Sequence, residues 1–256
     1  MKLHFIGTGG GRRTLTNQTR KTAGTIVESE KASIYIDPGP GSIVHSQDKN
    51  KEKLKGLIVT HSHLDHYGDA EAIIEQISYK YNNSCKLMAP VTVIDGYGEY
   101  KPAISDYHQN LCTDVVNLTD KDTELDDLEI ESQEMFHNEP KCRGLKISDG
   151  EEKIGFWTDT RYSEELLEFY EECDILVINC AKPHNEKSRN HTSMQDIPKI
   201  LENSEASTAI ITHFNSKFLE ADMAEEENWL KERVSQKVIF AQDGMTFPGD
   251  RKLSSF

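Results

Sequence analysis

The chain has 256 residues, with 44 Asp and Glu against 29 Lys and Arg, a formal net charge of −15 and 36% hydrophobic content. Its length is enough to bury a substantial core, while a pI near 5.1 argues against a surface built to grip a long polyanion. No apolar run approaches the roughly 20 residues of a membrane-spanning helix, and the five Cys show no CxxC spacing, which excludes a zinc knuckle and disfavours a disulfide framework.

The opening MKLHFIG reads as a short strand rather than a signal peptide, so a cytoplasmic location with no membrane association is expected. It runs into Gly7-Thr8-Gly9-Gly10-Gly11-Arg12-Arg13. That segment lacks the GK[ST] ending of a phosphate-binding loop and has Arg12 where a dinucleotide fingerprint needs its third glycine, so it predicts a tight turn and no nucleotide cofactor. The strand SIYI is stopped by Asp37, Pro38 and Pro40. A third apolar run, Leu57-Ile58-Val59-Thr60, leads directly into His61-Ser62-His63-Leu64-Asp65-His66, three imidazoles and a carboxylate within six residues.

The spacing of that cluster has a mechanical reading. His61 and His63 in a loop after a strand point the same way, while Ala70, Ile73, Ile74 and Ile77 recur at helical intervals and place a helix start near Asp65. Asp65 and His66 then sit on the first helical turn, turned away from the first two His, and one segment serves two neighbouring metal ions. Neither set is complete, so further ligands are required at other strand ends. Three positions meet that demand: LEIESQEMF stops at His137, KIGFWT stops at Asp159, and TAIIT stops at His213. Taken singly, each is ambiguous, since a lone His after a strand is commonly a rim residue and Asp159 could cap a helix over 163–172. Together with the first cluster they favour a metal site.

On these motifs the chain resembles the metallo-β-lactamase superfamily over nearly its whole length. The resemblance implies an α/β fold, an αββα sandwich of two mixed β-sheets with helices on the outer faces and the metal site at one edge. It further implies one metal held by His61, His63 and His137, a second by Asp65, His66 and His213, and Asp159 bridging them, with Asp37 in a supporting role. No Pro/Gly/Ser linker divides the chain, and the ligand set spans residues 61 to 213, so a single domain over 1–256 is expected.

His191, in Asn190-His191-Thr192-Ser193 and 22 residues before His213, is similar to a histidine of ribonuclease Z and related phosphodiesterases that contacts the substrate phosphate. The glycine turn and Ile211-Thr212-His213-Phe214 resemble the same branch. Read without the resemblance, His191 is better explained by an exposed loop before a helix capped at Ser193. The expected chemistry is hydrolysis of a phosphodiester by a hydroxide shared between two divalent cations, zinc by ligand type with manganese or iron as alternatives. Asp65 would orient that nucleophile and accept its proton, and His191 would hold a phosphate oxygen or protonate the leaving alkoxide. Many ribonucleases Z carry a long tRNA-clamping arm between the positions matching His137 and Asp159, whereas only 21 residues intervene here. Together with the acidic charge, this favours a small or single-stranded substrate such as a cyclic nucleotide, a cyclic phosphate or an RNA end over tRNA. Arg12, Arg13, Arg20 and Lys21, with Lys182, Lys187 and Arg189, form thin basic clusters. A carboxyl ester, lactone or thioester hydrolase and a non-catalytic metal-binding protein are the competing readings, and a homodimer is compatible with the sequence. No role is expected for His4, His45, His108 or His184. Tyr97, Tyr100 and Tyr107, in an insertion over 95–114, would either wall the substrate mouth or pack a helical hairpin.

Overall fold

A computed structural model describes residues 1–47 and 52–249; residues 48–51 and 250–256 of the expected 1–256 domain lie outside the described residues. The first half supplies β1 (Lys2–Phe5), β2 (Thr25–Glu28), β3 (Ser33–Ile36), β4 (Leu54–Ile58), β5 (Lys86–Ala89) and β6 (Asp114–Asn117). The second supplies β7 (Thr123–Leu125), β8 (Leu128–Glu134), β9 (Arg143–Ser148), β10 (Lys153–Trp157), β11 (Ile175–Asn179), β12 (Thr208–Thr212) and β13 (Lys237–Phe240), and β14 (Thr246–Phe247) returns to the first sheet. The two seven-stranded sheets run β14-β1-β2-β3-β4-β5-β6 and β13-β12-β11-β10-β9-β8-β7.

Each sheet is mixed in the same way. Antiparallel pairs open it, β1 with β2 and β2 with β3 in one, β8 with β9 and β9 with β10 in the other. Parallel pairs then follow, β3 to β6 and β10 to β13. Side chains of a strand alternate between faces, and the sequence uses this to feed three layers. Ile34 and Ile36 of β3 and Val177 of β11 enter the apolar layer between the sheets, with Phe5, Ile58, Ile147 and Phe156. Tyr35 points the other way, onto Ile73, Ile74 and Ile77 of the helical layer over the first sheet. Leu176 and Ile178 pack outward against Leu166, Ile200 and Phe218 over the second. Two sheets face to face with helices outside are the αββα sandwich expected from the sequence.

Parallel strands align their C-terminal ends, and loops beyond those ends form the crevice where open α/β sheets bind ligands. Here β3 leads to Asp37, β4 to His61, β10 to Asp159, β11 stops on Asn179 and β12 leads to His213. The helix expected from Asp65 onward is interrupted. One turn, Leu64–Tyr67, is followed by Ala70–Glu75, which passes into a π-helical turn Gln76–Lys80. The break occurs because the Asp69 N–H donates to Pro38 O, and the Asp69 carboxylate accepts the N–H groups of Gly41 and Ile43. The Pro-Gly-Pro-Gly turn is thereby tied beneath the ligand loop. Around 95–114 the hairpin is less helical than expected: only Val91–Ile94 and Asp106–Gln109 are helical, and Tyr97 and Tyr100 pair across a short bridge. Among the described residues no helix is long and apolar enough to cross a membrane.

Candidate metal centre

All seven expected ligands meet at one rim, with His191 beside them. Their ligand atoms fall into overlapping sets lying within 4.8 Å of one another: His61, His63 and His137; Asp65, His66 and His213; His61, His66 and Asp159; and His137, Asp159 and His191. Asp159 belongs to both sides. One of its oxygens is 3.2 Å from His213 Nε2 and the other 3.6 Å from His66 Nε2 and 3.4 Å from His191 Nδ1. At 2% exposure it is part of the cluster rather than a cap for the helical segment 164–170, which starts after Ser163. The turn at Asp65 and His66 is tighter than the sequence suggests, because the His66 ring lies 4.0 Å from that of His61 and thus faces both ligand sets.

Several of the expected ligands are held by residues outside the cluster. Asp37 accepts from Thr60 N and Thr60 Oγ1, both at 2.7 Å, and lies 2.8 Å from His66 Nδ1, which leaves His66 Nε2 aimed into the cluster. His137 Nδ1 meets Asn190 O at 3.0 Å. Asp65 Oδ2 accepts the Gly11 N–H at 2.6 Å, and Asn179 Nδ2 donates to Asp159 Oδ1 at 2.9 Å. His213 adopts φ 62°, a left-handed conformation uncommon for a residue with a side chain. Its ring lies on the backbone of Gly10, where a Cβ would stand 2.2 Å from ring atoms; the glycine turn is needed for close approach. Glu139, fully buried, accepts from Ser62 Oγ at 3.1 Å and Lys141 N at 3.0 Å, holding the loop between His61 and His63.

The electrostatics divide the imidazoles. Burial pushes His61 well below the ordinary histidine range, helped by His66. It takes His63 down to about 4, helped by His137 and His66, and lowers His137 against the pull of Asp159. His66 moves the other way: burial opposes its charge, but Asp37, Asp65 and Asp159 together raise it well above the usual value. Asp159 is buried yet held well below the carboxylate range by His213 and His191, and Asp65 is lowered by His66 and His213 despite its burial. His61, His63 and His137, held neutral beside ionised carboxylates, are in the state that binds a divalent cation, whereas His66 would give up a proton on binding one.

The geometry fits such ions. His63 Nδ1 is 3.0 Å from His61 Nε2 and 3.2 Å from His137 Nε2, close to the roughly 3.3 Å that separates nitrogens bound to one tetrahedral zinc. His66 Nε2 and His213 Nε2 are buried and make no hydrogen bond, although a buried ring nitrogen without a partner is costly. The chain carries a His/Asp cluster able to hold metal.

Residues 32–214 match the family model described as the beta-lactamase superfamily domain. The chain belongs to the metallo-β-lactamase superfamily. An uncharacterised protein of Methanocaldococcus jannaschii is 28% identical over 251 residues, covering 96% of this chain and 94% of that one. Among solved structures, the metallo-β-lactamase fold protein YhfI from Bacillus subtilis superposes with a TM-score of 0.80 at 19% identity, covering 96% and 98% of the two chains. The short form of human tRNase Z gives 0.67 at 14%, covering 96% and 98%. At these identities the structural matches show the fold alone.

Within the superfamily frame, three contributors were not legible from the sequence: Asn179, Glu139 and the Asn190 carbonyl. Asn179 had a signal, since ILVIN ends at the same rim as the strands before Asp159 and His213. The histidines given no role have structural partners where hydrogen bonds are formed: His4 with Glu28 and Thr246, His184 with Glu226, and His108 with Ser105. The basic clusters separate. Arg20 donates to Thr8 Oγ1 and Ala241 O, and Lys182 pairs with Glu186, whereas Arg12 lines a cleft that opens onto His63, Asp159 and His191.

Proposed function

We propose that this chain is a dinuclear metal-dependent phosphodiesterase, acting within one domain on a small or single-stranded phosphodiester. The superfamily is generally hydrolytic and metal-dependent; the finer reading rests on His191. Its ring lies 4.9 Å from that of His137 and its Nδ1 3.4 Å from Asp159, beside the ligand sets but outside the two trios. Its side chain is 30% exposed where that of Asp159 is 3%, so it reaches from the buried cluster into the cleft. A histidine placed there adds a hydrogen-bond donor for an oxygen that the ions do not hold.

In this reading His61, His63 and His137 would hold one ion, Asp65, His66 and His213 the other, and Asp159 would serve both. Zinc suits these donors best, with manganese or iron as competitors. The ions, when bound, supply Lewis acidity that acidifies water and offsets charge developing on the phosphorus oxygens. The protein does the rest. Asp65, anchored by the Gly11 N–H, orients the attacking water and accepts its proton. His191, whose charged form is disfavoured by burial even though Asp159 opposes this, offers a neutral N–H to a phosphate oxygen; to protonate the departing alkoxide it would first have to take up a proton, which a bound anionic substrate favours.

The short connection between His137 and Asp159 supports a small substrate rather than tRNA. Those 21 residues are largely used by the β9–β10 hairpin. The test is turnover of bis(p-nitrophenyl) phosphate by the zinc- or manganese-loaded protein, set beside p-nitrophenyl acetate, a lactone and a thioester. Phosphodiester hydrolysis abolished by Asp159→Ala and reduced at least about 100-fold by His191→Ala is expected. Hydrolysis of carboxyl esters alone, or full phosphodiester activity in His191→Ala, contradicts the proposal.

A further inference from the structure

The cleft over the cluster has a volume of about 620 Å³, a size suited to a small molecule. Its walls are unequal. Leu15, Leu64 and Tyr67 contribute apolar surface, and Leu64 is 51% exposed although it sits between two expected ligands. Asn138 and Asn190 contribute amides whose side chains make no hydrogen bond to the protein among the described residues. The one Lys or Arg lining the cleft is Arg12.

Arg12 differs from Lys141, Lys182 and Arg20, which are engaged elsewhere. Lys141 stands over the Tyr97 ring and 3.6 Å from Glu134, Lys182 is 2.8 Å from Glu186, and Arg20 is spent on Thr8 and Ala241. Arg12 is exposed and has no ion pair among the described residues, in a chain of net charge −15 with ample carboxylates to supply one. Its backbone is nonetheless fixed. The preceding residue, Gly11, donates its N–H to Asp65 Oδ2 at 2.6 Å, so the start of this segment is registered to the cluster itself. A guanidinium carries a planar fork of donors that matches a phosphate bidentately. Arg12 lines the same cleft as Asp159 and His191, and it is exposed where Asp159 is buried.

We propose that Arg12 is a specificity residue that binds a second phosphate, distinct from the scissile one, on a mononucleotide-sized substrate. The apolar wall formed by Leu15, Leu64 and Tyr67 offers a surface for the base and ribose of such a ligand. The assignment of the scissile end rests on the phosphodiesterase reading, but the Arg12 subsite has its own readout. One cation in a cleft of this size favours a compact bisphosphorylated nucleoside over a long polyanion, which needs many such contacts.

The test is equilibrium binding, by calorimetry, of adenosine 5′-monophosphate and adenosine 3′,5′-bisphosphate to the metal-loaded full chain, its Arg12→Ala and its Arg12→Lys variants. The wild type is expected to prefer the bisphosphate by about 10- to 100-fold. In Arg12→Ala that ratio falls to near one, and in Arg12→Lys, which keeps the charge without the fork, it lies between. Metal content and circular dichroism check that the variants are intact. A wild-type ratio near one, a ratio unchanged in Arg12→Ala, or no binding of either nucleotide overturns the proposal. Bis(p-nitrophenyl) phosphate has no second phosphate, so its turnover reports on the reaction separately: a bisphosphate preference lost in Arg12→Ala, with no phosphodiester turnover, keeps the subsite and removes the reaction.

Discussion

Asp37 ties the end of β4 to the His66 ring, and replacing it by alanine is a revealing perturbation. Its carboxylate, 12% exposed, takes three contacts: Thr60 N and Thr60 Oγ1 at 2.7 Å and His66 Nδ1 at 2.8 Å. Removing it leaves three donors in a largely buried place, each costing about 1–3 kcal/mol when unsatisfied. Allowing for partial replacement by water, the loss should be about 3–6 kcal/mol. Asp37 also adopts φ 52°, a conformation that Asp tolerates better than alanine. For a chain of this length each kcal/mol moves the melting temperature by about 2–4 °C, so Asp37→Ala should melt at least about 6 °C lower. Freed from its carboxylate, His66 would also lose orientation, and zinc affinity should fall about 10- to 100-fold. Urea denaturation of chelator-treated protein and competition for zinc against a chelator read these two effects separately. A stability change below 1 kcal/mol with zinc affinity within threefold of wild type would refute the reasoning.

Glu139→Leu leaves Ser62 Oγ without its acceptor and loosens the loop between His61 and His63; zinc affinity should drop about tenfold, measured by the same competition, while Glu139→Gln, which retains an acceptor oxygen, should recover most of it. Thr192 accepts the Trp157 Nε1–H at 2.8 Å and donates to Thr160 O at 3.0 Å, joining the end of β10 to the residue after His191. Thr192→Val should therefore cost about 1–3 kcal/mol in urea denaturation and lower phosphodiester turnover more than zinc affinity.

The sequence carried the site where chemistry is local. Six residues from His61 to His66 announce themselves, and the other ligands follow apolar runs that could be read as strands. What it could not carry was contact across distance. Glu139 sits in a polar stretch, and only folding brings its carboxylate to Ser62, 77 residues away in the chain. Periodicity alone predicts a continuous helix after Asp65, because it is blind to Asp69, whose N–H leaves the helical ladder for Pro38. Gly10 was legible as a turn, but not as the floor under the His213 ring. The αββα architecture came from the resemblance, since alternating strands and helices alone fit several layered α/β folds. Its three layers became visible once neighbouring residues such as Ile34 and Tyr35 were seen to face different cores.

The proposed chemistry requires two ions held by seven residues. Elemental analysis of purified protein, stripped with a chelator and then saturated with zinc, measures this directly. Two zinc ions per chain are expected, falling to one or fewer in Asp159→Ala. A wild-type chain that remains metal-free after saturation, or an Asp159→Ala variant that still holds two, would contradict it.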